Sequence, residues 1–341
     1  MEIDPRHSPA WSGLASAAEA KGLLEDALGY YGRILEGDGE SAECWFNMGN
    51  LHDAMGSFDK AEEAFRRAIR LQPDMCEAWN NLGNVLTHLG RIDEAIRCYS
   101  MCLEMRPGLG DAWFNAANAW QHAGNFEQAV RCYLQAAESA SEPYMVWFNL
   151  AFTRARMGNI AGAALDYRRA AELNPDDYEV WYNLGNTHLE LGEVQAAMKS
   201  FRKAARLRAD DADVWNNLGI ACEDGGQTEA AMRCFKKAIA LRKECHAFWN
   251  NLGTLYEEMG QMDDAIACYN RAIELCPRRA TYFINRARVF AKTSKHAEAR
   301  DDLQRAIGLN GSLAAILPAI ADFDAMKRKG WIDGLTPGPT R

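Results

Sequence analysis

No stretch of this 341-residue chain approaches the ~18 consecutive apolar residues that would cross a bilayer, so no membrane span is expected. The first residues, Met1-Glu2-Ile3-Asp4-Pro5, carry neither the basic nor the apolar segment of a secretory signal. Basic charge is scarce: 38 Lys and Arg stand against 47 Asp and Glu, a net charge of -9, which argues against general nucleic-acid binding. The ten cysteines include no C-x2-C pair, the spacing a zinc site would want. They read as small buried hydrophobes in a reducing, cytoplasmic setting. No phosphate loop, G-x-S-x-G, H-E-x-x-H or kinase signature occurs. No enzyme, cofactor or metal is therefore expected. His88 and His122 share a register and could stack, but further ligands are missing.

Tryptophan, by contrast, is plentiful and periodic. Trp11, Trp45, Trp79, Trp113, Trp147, Trp181, Trp215 and Trp249 recur every 34 residues, and Phe283 takes the ninth place. With tryptophan as position 4, repeats begin at Ser8, Ala42, Cys76, Gly110, Tyr144, Tyr178, Ala212, His246 and Ala280. Position 8 is always small (Ala15, Gly49, Gly83, Ala117, Ala151, Gly185, Gly219, Gly253, Ala287), and position 20 is always alanine. Position 15 is glycine from Gly22 to Gly260, then Ser294; position 24 is aromatic from Tyr31 to Tyr269, then Leu303. Positions 4, 7, 8 and 11 form one helical stripe, positions 20, 24 and 27 a second, and the glycine between them suits a helix stop. The tryptophans read as core.

These columns resemble the tetratricopeptide repeat: W-x2-L-G, a glycine turn, A-x3-F/Y, then proline at Pro73, Pro107, Pro175 and Pro277. The resemblance implies an all-α fold, a right-handed solenoid of antiparallel helix pairs with first helices on the concave side. Nine repeats span 8–312. Residues 1–7 match the tail of a preceding repeat, with the rest of that repeat missing. Leu313, Ile316, Leu317, Ile320, Phe323 and Met326 form a stripe read as a capping helix over 313–329, with Pro318 as a possible kink and 330–341 as a disordered tail.

At about 100° per residue, positions 2, 6, 9 and 13 point away from the buried stripe and should face the groove, flanked by 5 and 12. Position 6 reads Asn47, Asn81, Asn115, Asn149, Asn183, Asn217, Asn251 and Asn285; position 9 adds Asn50, Asn84, Asn118 and Asn186. Two readings stay open: these amides bond to the next repeat and fix the stacking, or they grip the backbone of a peptide. The row resembles the asparagine ladder in the repeat arm of O-GlcNAc transferases. Phe114, Phe148 and Tyr182 at position 5, Met145 at position 2, Phe152 at position 9 and Arg156 at position 13 read either as a docking patch or as lateral packing. Glu179, Glu190, Asp213, Glu223, Asp224, Glu257 and Glu258 form an acidic stretch that would favour a basic segment, or else a plain solvated face. Basic residues that would clamp a chaperone C-terminus are missing from positions 2 and 5, and asparagine fills position 6.

The expectation is a non-enzymatic scaffold that binds a protein or peptide segment, with no nucleic acid and no membrane. The alternative is the substrate-recognition arm of a longer O-GlcNAc-transferase-like enzyme. Self-association through the N-terminal face is a third, weaker reading.

Overall fold

The structure, a computed structural model, describes residues 8–38, 40–316 and 321–335. The expected remnant at 1–7, Pro318 and the tail beyond 335 lie outside the described residues. The chain divides into two compact units, Met1–Pro175 and Asp176–Arg341. The first holds α1 (Ser8–Ala20), α2 (Leu24–Asp38), α3 (Ala42–Ala54), α4 (Phe58–Leu71), α5 (Cys76–His88), α6 (Ile92–Met105), α7 (Gly110–His122), α8 (Phe126–Ala136), α9 (Pro143–Arg156) and α10 (Ile160–Leu173). The second holds α11 (Tyr178–Glu190), α12 (Val194–Leu207), α13 (Ala212–Asp224), α14 (Thr228–Leu241), α15 (His246–Glu258), α16 (Met262–Leu275), α17 (Ala280–Lys292) and α18 (His296–Leu309). These helices pack as consecutive pairs, and no strand occurs among the described residues. None of the described helices is long and apolar enough to cross a membrane.

Each first helix stops where the chain turns left-handed. The glycines at position 15 have φ between 67° and 78°, a region closed to most side chains, and Ser294 takes the ninth turn at φ 63°. At Gly56 the turn closes with two bonds of 2.8 Å, Gly56 N–H to Asp53 O and Ser57 N–H to His52 O. The backbone groups freed by the helix end are thereby satisfied.

The tightest packing lies inside each pair. The alanine at position 20 is fully buried in all nine pairs, from Ala27 to Ala299, and the aromatic rings at position 24 are buried with it. These rings lie against the small residue at position 8 of the partner helix. A Cβ added to Gly49, Gly83, Gly185, Gly219 or Gly253 would stand 2.5–2.8 Å from the ring of Phe65, Tyr99, Phe201, Phe235 or Tyr269. Glycine therefore sets how closely the two helices approach. Each buried ring contributes roughly 1.5–3 kcal/mol of transfer free energy.

The tryptophans are not the innermost rings, contrary to the sequence reading. All eight on the lattice are half-buried and pack on the core from its edge. In four of them the indole N–H accounts for this placement, because it needs a polar partner and finds one at the edge. Trp79, Trp113, Trp215 and Trp249 donate Nε1–H to the carbonyls of Pro73 (2.9 Å), Pro107 (2.7 Å), Ala209 (2.9 Å) and Lys243 (2.9 Å). Each indole thus clips its helix to the preceding turn.

Two further expectations differ from the structure. Residues 313–329 are not one helix: the described part comprises α19 (Leu313–Ile316), a 3-10 turn (Ala321–Phe323) and α20 (Asp324–Arg328). Phe323, Met326 and Ile332 are buried with Ala287, Leu303 and Ile307, so packed structure continues past 330. The cysteines are not all thiols either. Cys76, which opens α5, is joined by a disulfide to Cys102 near the end of α6. Contact between two helices leaves no spacing signature in sequence. Among the described residues the eight other cysteines form no disulfide, and burial pushes the thiols of Cys98, Cys132 and Cys268 up to about 11.

Replacing Gly83 by valine should cost about 1–3 kcal/mol in chemical denaturation, because the added carbons must displace the Tyr99 ring. The exposed helical Gly29, with nothing within 4 Å of an added Cβ, is the control; Gly29→Ala should be neutral or stabilise by up to ~1 kcal/mol. Equal effects at the two sites would show that the ring contact does not set the pairing.

Candidate functional site

The position 6 asparagines are half-buried, neither sealed in the core nor fully in water. Most reach sideways to the preceding first helix. Asn81 donates Nδ2–H to Asn50 Oδ1 (2.8 Å), Asn149 to Asn118 Oδ1 (3.3 Å) and Asn217 to Asn186 Oδ1 (2.9 Å), all position 9 acceptors. Asn115, Asn251 and Asn285 donate instead to position 5 amides: Asn80 (3.1 Å), Asn216 (2.9 Å) and Asn250 (2.9 Å). The acceptor changes for a local reason. Position 9 is Ile220 or Thr254 in two of those preceding helices; in the third, Asn84 Oδ1 accepts from the Tyr99 hydroxyl (2.8 Å) while Asn115 takes Asn80. Asn47 bonds to the Tyr31 hydroxyl, and Asn183 stands half-buried on α11.

The stacking role of these amides is thus visible in the bonds themselves. They also reach the core: Asn118 Oδ1 accepts from both Asn149 and the buried Tyr133 hydroxyl (2.6 Å). An amide has two N–H donors and two carbonyl lone pairs. One inter-helix bond leaves Asn115, Asn149, Asn251 and Asn285 each with a second N–H and a carbonyl to offer. Asn217 is more fully used, since it also donates to Tyr182 Oη (3.2 Å) and accepts from Asn216 (3.1 Å). Sequence reasoning missed the acceptors Asn80, Asn216 and Asn250. The signal was present, as each is the first member of an Asn-Asn doublet.

The aromatic patch divides. Phe114, Phe148 and Tyr182 turn inward onto the position 24 rings of Tyr133, Tyr167 and Phe201, with centroids 6.0, 5.8 and 6.1 Å apart. They pack inside their own helix pair rather than laterally on the next first helix, because a ring at position 5 lies close enough to the buried stripe to reach the aromatic core. Phe152 and Met145 remain 37% exposed, a turn to either side of Asn149 on α9. Arg156 is exposed and leans over the Phe126 ring at 5.3 Å. His88 does not pair with His122; it stacks on Phe58 at 4.9 Å.

The acidic stretch is thinner than its sequence. Asp213 pairs with Arg242 (2.9 Å), and the buried Glu257 pairs with Arg288 (2.9 Å) and Lys292 (2.7 Å). Glu190, Asp224 and Glu258 remain exposed. Beside them Glu223 is raised to about 7, first by burial and then by the negative charges of Glu258 and Asp224. Among the described residues no three His, Cys, Asp or Glu side chains converge as a metal site.

The family described as Cilia and flagella-associated protein 70 C-terminal domain matches residues 109–315, more than half of the chain, and a Tetratricopeptide repeat description matches residues 46–110. Among solved structures, the chain is similar to YrrB, described as a TPR protein with an unusual peptide-binding site: 22% identity, 53% of this chain and 94% of that chain covered, TM-score 0.50. It is also similar to MamA, with 23% identity, 51% and 95% covered, TM-score 0.47. In the Cut9-Hcn1 hetero-tetramer of the APC/C, the match has 20% identity, 78% and 52% covered, TM-score 0.44. No curated protein matches. Neither family match carries the specific likeness to O-GlcNAc transferase arms.

The Glu223 shift has a sign that can be measured. Its folded value lies above the ordinary carboxylate value, so its contribution to stability is full in acid and is lost as pH rises from about 4.5 to about 7. Glu223→Gln should stabilise the protein at pH 8 by about 1 kcal/mol, well short of the full shift because solvent screens the site. The gain should vanish at pH 4.5. A pH-independent difference between the two proteins would contradict the assignment.

Proposed function

We infer, for a chain that belongs to the family of the Cilia and flagella-associated protein 70 C-terminal domain, that it is a non-enzymatic scaffold whose first-helix wall forms a groove for an extended segment of another protein. One observation supports this most: half-exposed amides line the first helices within each unit, and Asn115, Asn149, Asn251 and Asn285 are each oriented by one bond to the preceding first helix while keeping a donor and an acceptor unspent. Amides fixed before binding lose little freedom when a guest backbone arrives. Asn115 and Asn149 would hold the main chain, and Phe152 and Met145 would cover an apolar side chain. In the second unit, Asn251 and Asn285 would serve the same way. The exposed Glu190, Asp224 and Glu258 would favour a basic segment there. YrrB, which shares the fold, is described as having a peptide-binding site. A transferase arm would use the same row, and no observation favours it over the scaffold.

The test places a benzoyl-phenylalanine photocrosslinker at Phe152 and, in a second protein, at the exposed Arg168 on α10. The groove reading expects partner capture from position 152 at least about tenfold above position 168, reduced by Asn149→Ala with folding unchanged. Capture from position 168 alone would reject it.

A further inference from the structure

First helices pack closely along part of the wall, α3 on α5 and α5 on α7, but α7 and α9 stand further apart. A pocket of about 190 Å³ opens between them, lined by Phe114, Asn115, Met145 and Val146 and walled by Ala140, Ser141 and Glu142. The chain departs here from its own repeat. Helix α8 ends early at Ala136, and the loop after it folds back over the start of α7. Only glycine fits at position 110, since a Cβ there would collide with the backbone of Ser139 and Ala140. Three hydrogen bonds pin the loop: Ser139 Oγ–H to Gly108 O (3.0 Å), and Ser141 N–H and Oγ–H to Asp111 Oδ1 (2.9 and 2.8 Å). The pocket is therefore a held feature rather than a chance gap.

Its size and lining narrow the occupant. Small-molecule sites run to roughly 300–1,000 Å³, so this one suits a single side chain. Phe114, Met145 and Val146 make it apolar, and the thioether of Met145 adapts to different shapes. Asp111 and Glu142 stand at the rim with no cationic partner among the described residues. In an extended chain, residues two apart face the same side about 6.6–6.8 Å from each other. An apolar residue in the pocket would thus set its second neighbours over those carboxylates.

We propose that the α7–α9 pocket is the anchor site of the groove, taking a leucine- or methionine-sized side chain whose second neighbours are Lys or Arg. The proposal rests on the groove reading above.

The probe is a fluorescein-labelled Gly/Ser nonapeptide with a central Lys-Gly-Leu-Gly-Lys, followed by anisotropy on the full chain. Changing its Leu to Ser, or both Lys to Glu, should weaken binding about tenfold or more, as should Met145→Ala in the protein. Glu142 caps α9 without a side-chain hydrogen bond, so Glu142→Lys should keep the fold while shifting preference towards the Glu-flanked peptide. Binding indifferent to Leu→Ser and to Met145→Ala, yet weakened by Asn149→Ala, would overturn the pocket and leave the groove standing. Binding lost with Met145→Ala but untouched by Asn149→Ala would support the pocket and deny the amides their role. No binding of any of these peptides at millimolar protein would overturn the pocket, and the crosslinking result would then decide the groove separately.

Discussion

The contact of an aromatic ring with a bare Cα governs this structure. In five helix pairs the position 24 ring sits where a side chain at position 8 would be, and a single added carbon would come within 2.5–2.8 Å of it. The alanine at position 20 is fully buried beside the ring, and the contact fixes which face the first helix turns to its partner. Once the small residue faces the ring, the residue two positions before it lies on the opposite side and the residue one after it lies at the edge, within reach of the ring hydroxyl.

Those residues are the amides. Their bonds adapt to the sequence beside them: a position 9 asparagine accepts from Asn81, Asn149 and Asn217, and a position 5 asparagine accepts where position 9 is Ile220 or Thr254 and, beside Asn84, from Asn115. The tyrosine hydroxyls at position 24 carry the same network inward, so Tyr133 in the core and Asn149 on the wall share one acceptor, Asn118. Packing inside a pair and alignment between pairs are thereby linked. A row of this kind meets an approaching backbone with groups already aimed, and the role proposed for it needs no motion of the helices.

The fold was legible because its determinants are periodic. Glycine at position 15, alanine at position 20 and the small-aromatic pairing recur often enough for helix starts to be read from spacing alone. What spacing cannot express is where a side chain leans. Phe114, Phe148 and Tyr182 lie near the border of the buried stripe, and the attraction of a second ring draws them inward, whereas Phe152 has no such ring to meet. The tryptophans were placed too deep because their apolar area was counted and their N–H was not. Asp213 and Glu257 looked like free charge until Arg242, Arg288 and Lys292 were found across the helix interface. Contacts that join different elements, such as Cys76 with Cys102 or His88 with Phe58, leave no trace in any single column.

The claim at the centre is that Asn115, Asn149, Asn251 and Asn285 are half committed: one N–H holds the neighbouring helix and the other is left for a guest. Hydrogen exchange of the asparagine Nδ2 protons, resolved by NMR on side-chain-labelled protein, tests it most directly. The account predicts that Asn115, Asn149, Asn251 and Asn285 each show one protected and one rapidly exchanging proton. Two fast protons would mean that the inter-helix bonds do not form in solution, and two protected protons would mean that nothing remains to bind a partner.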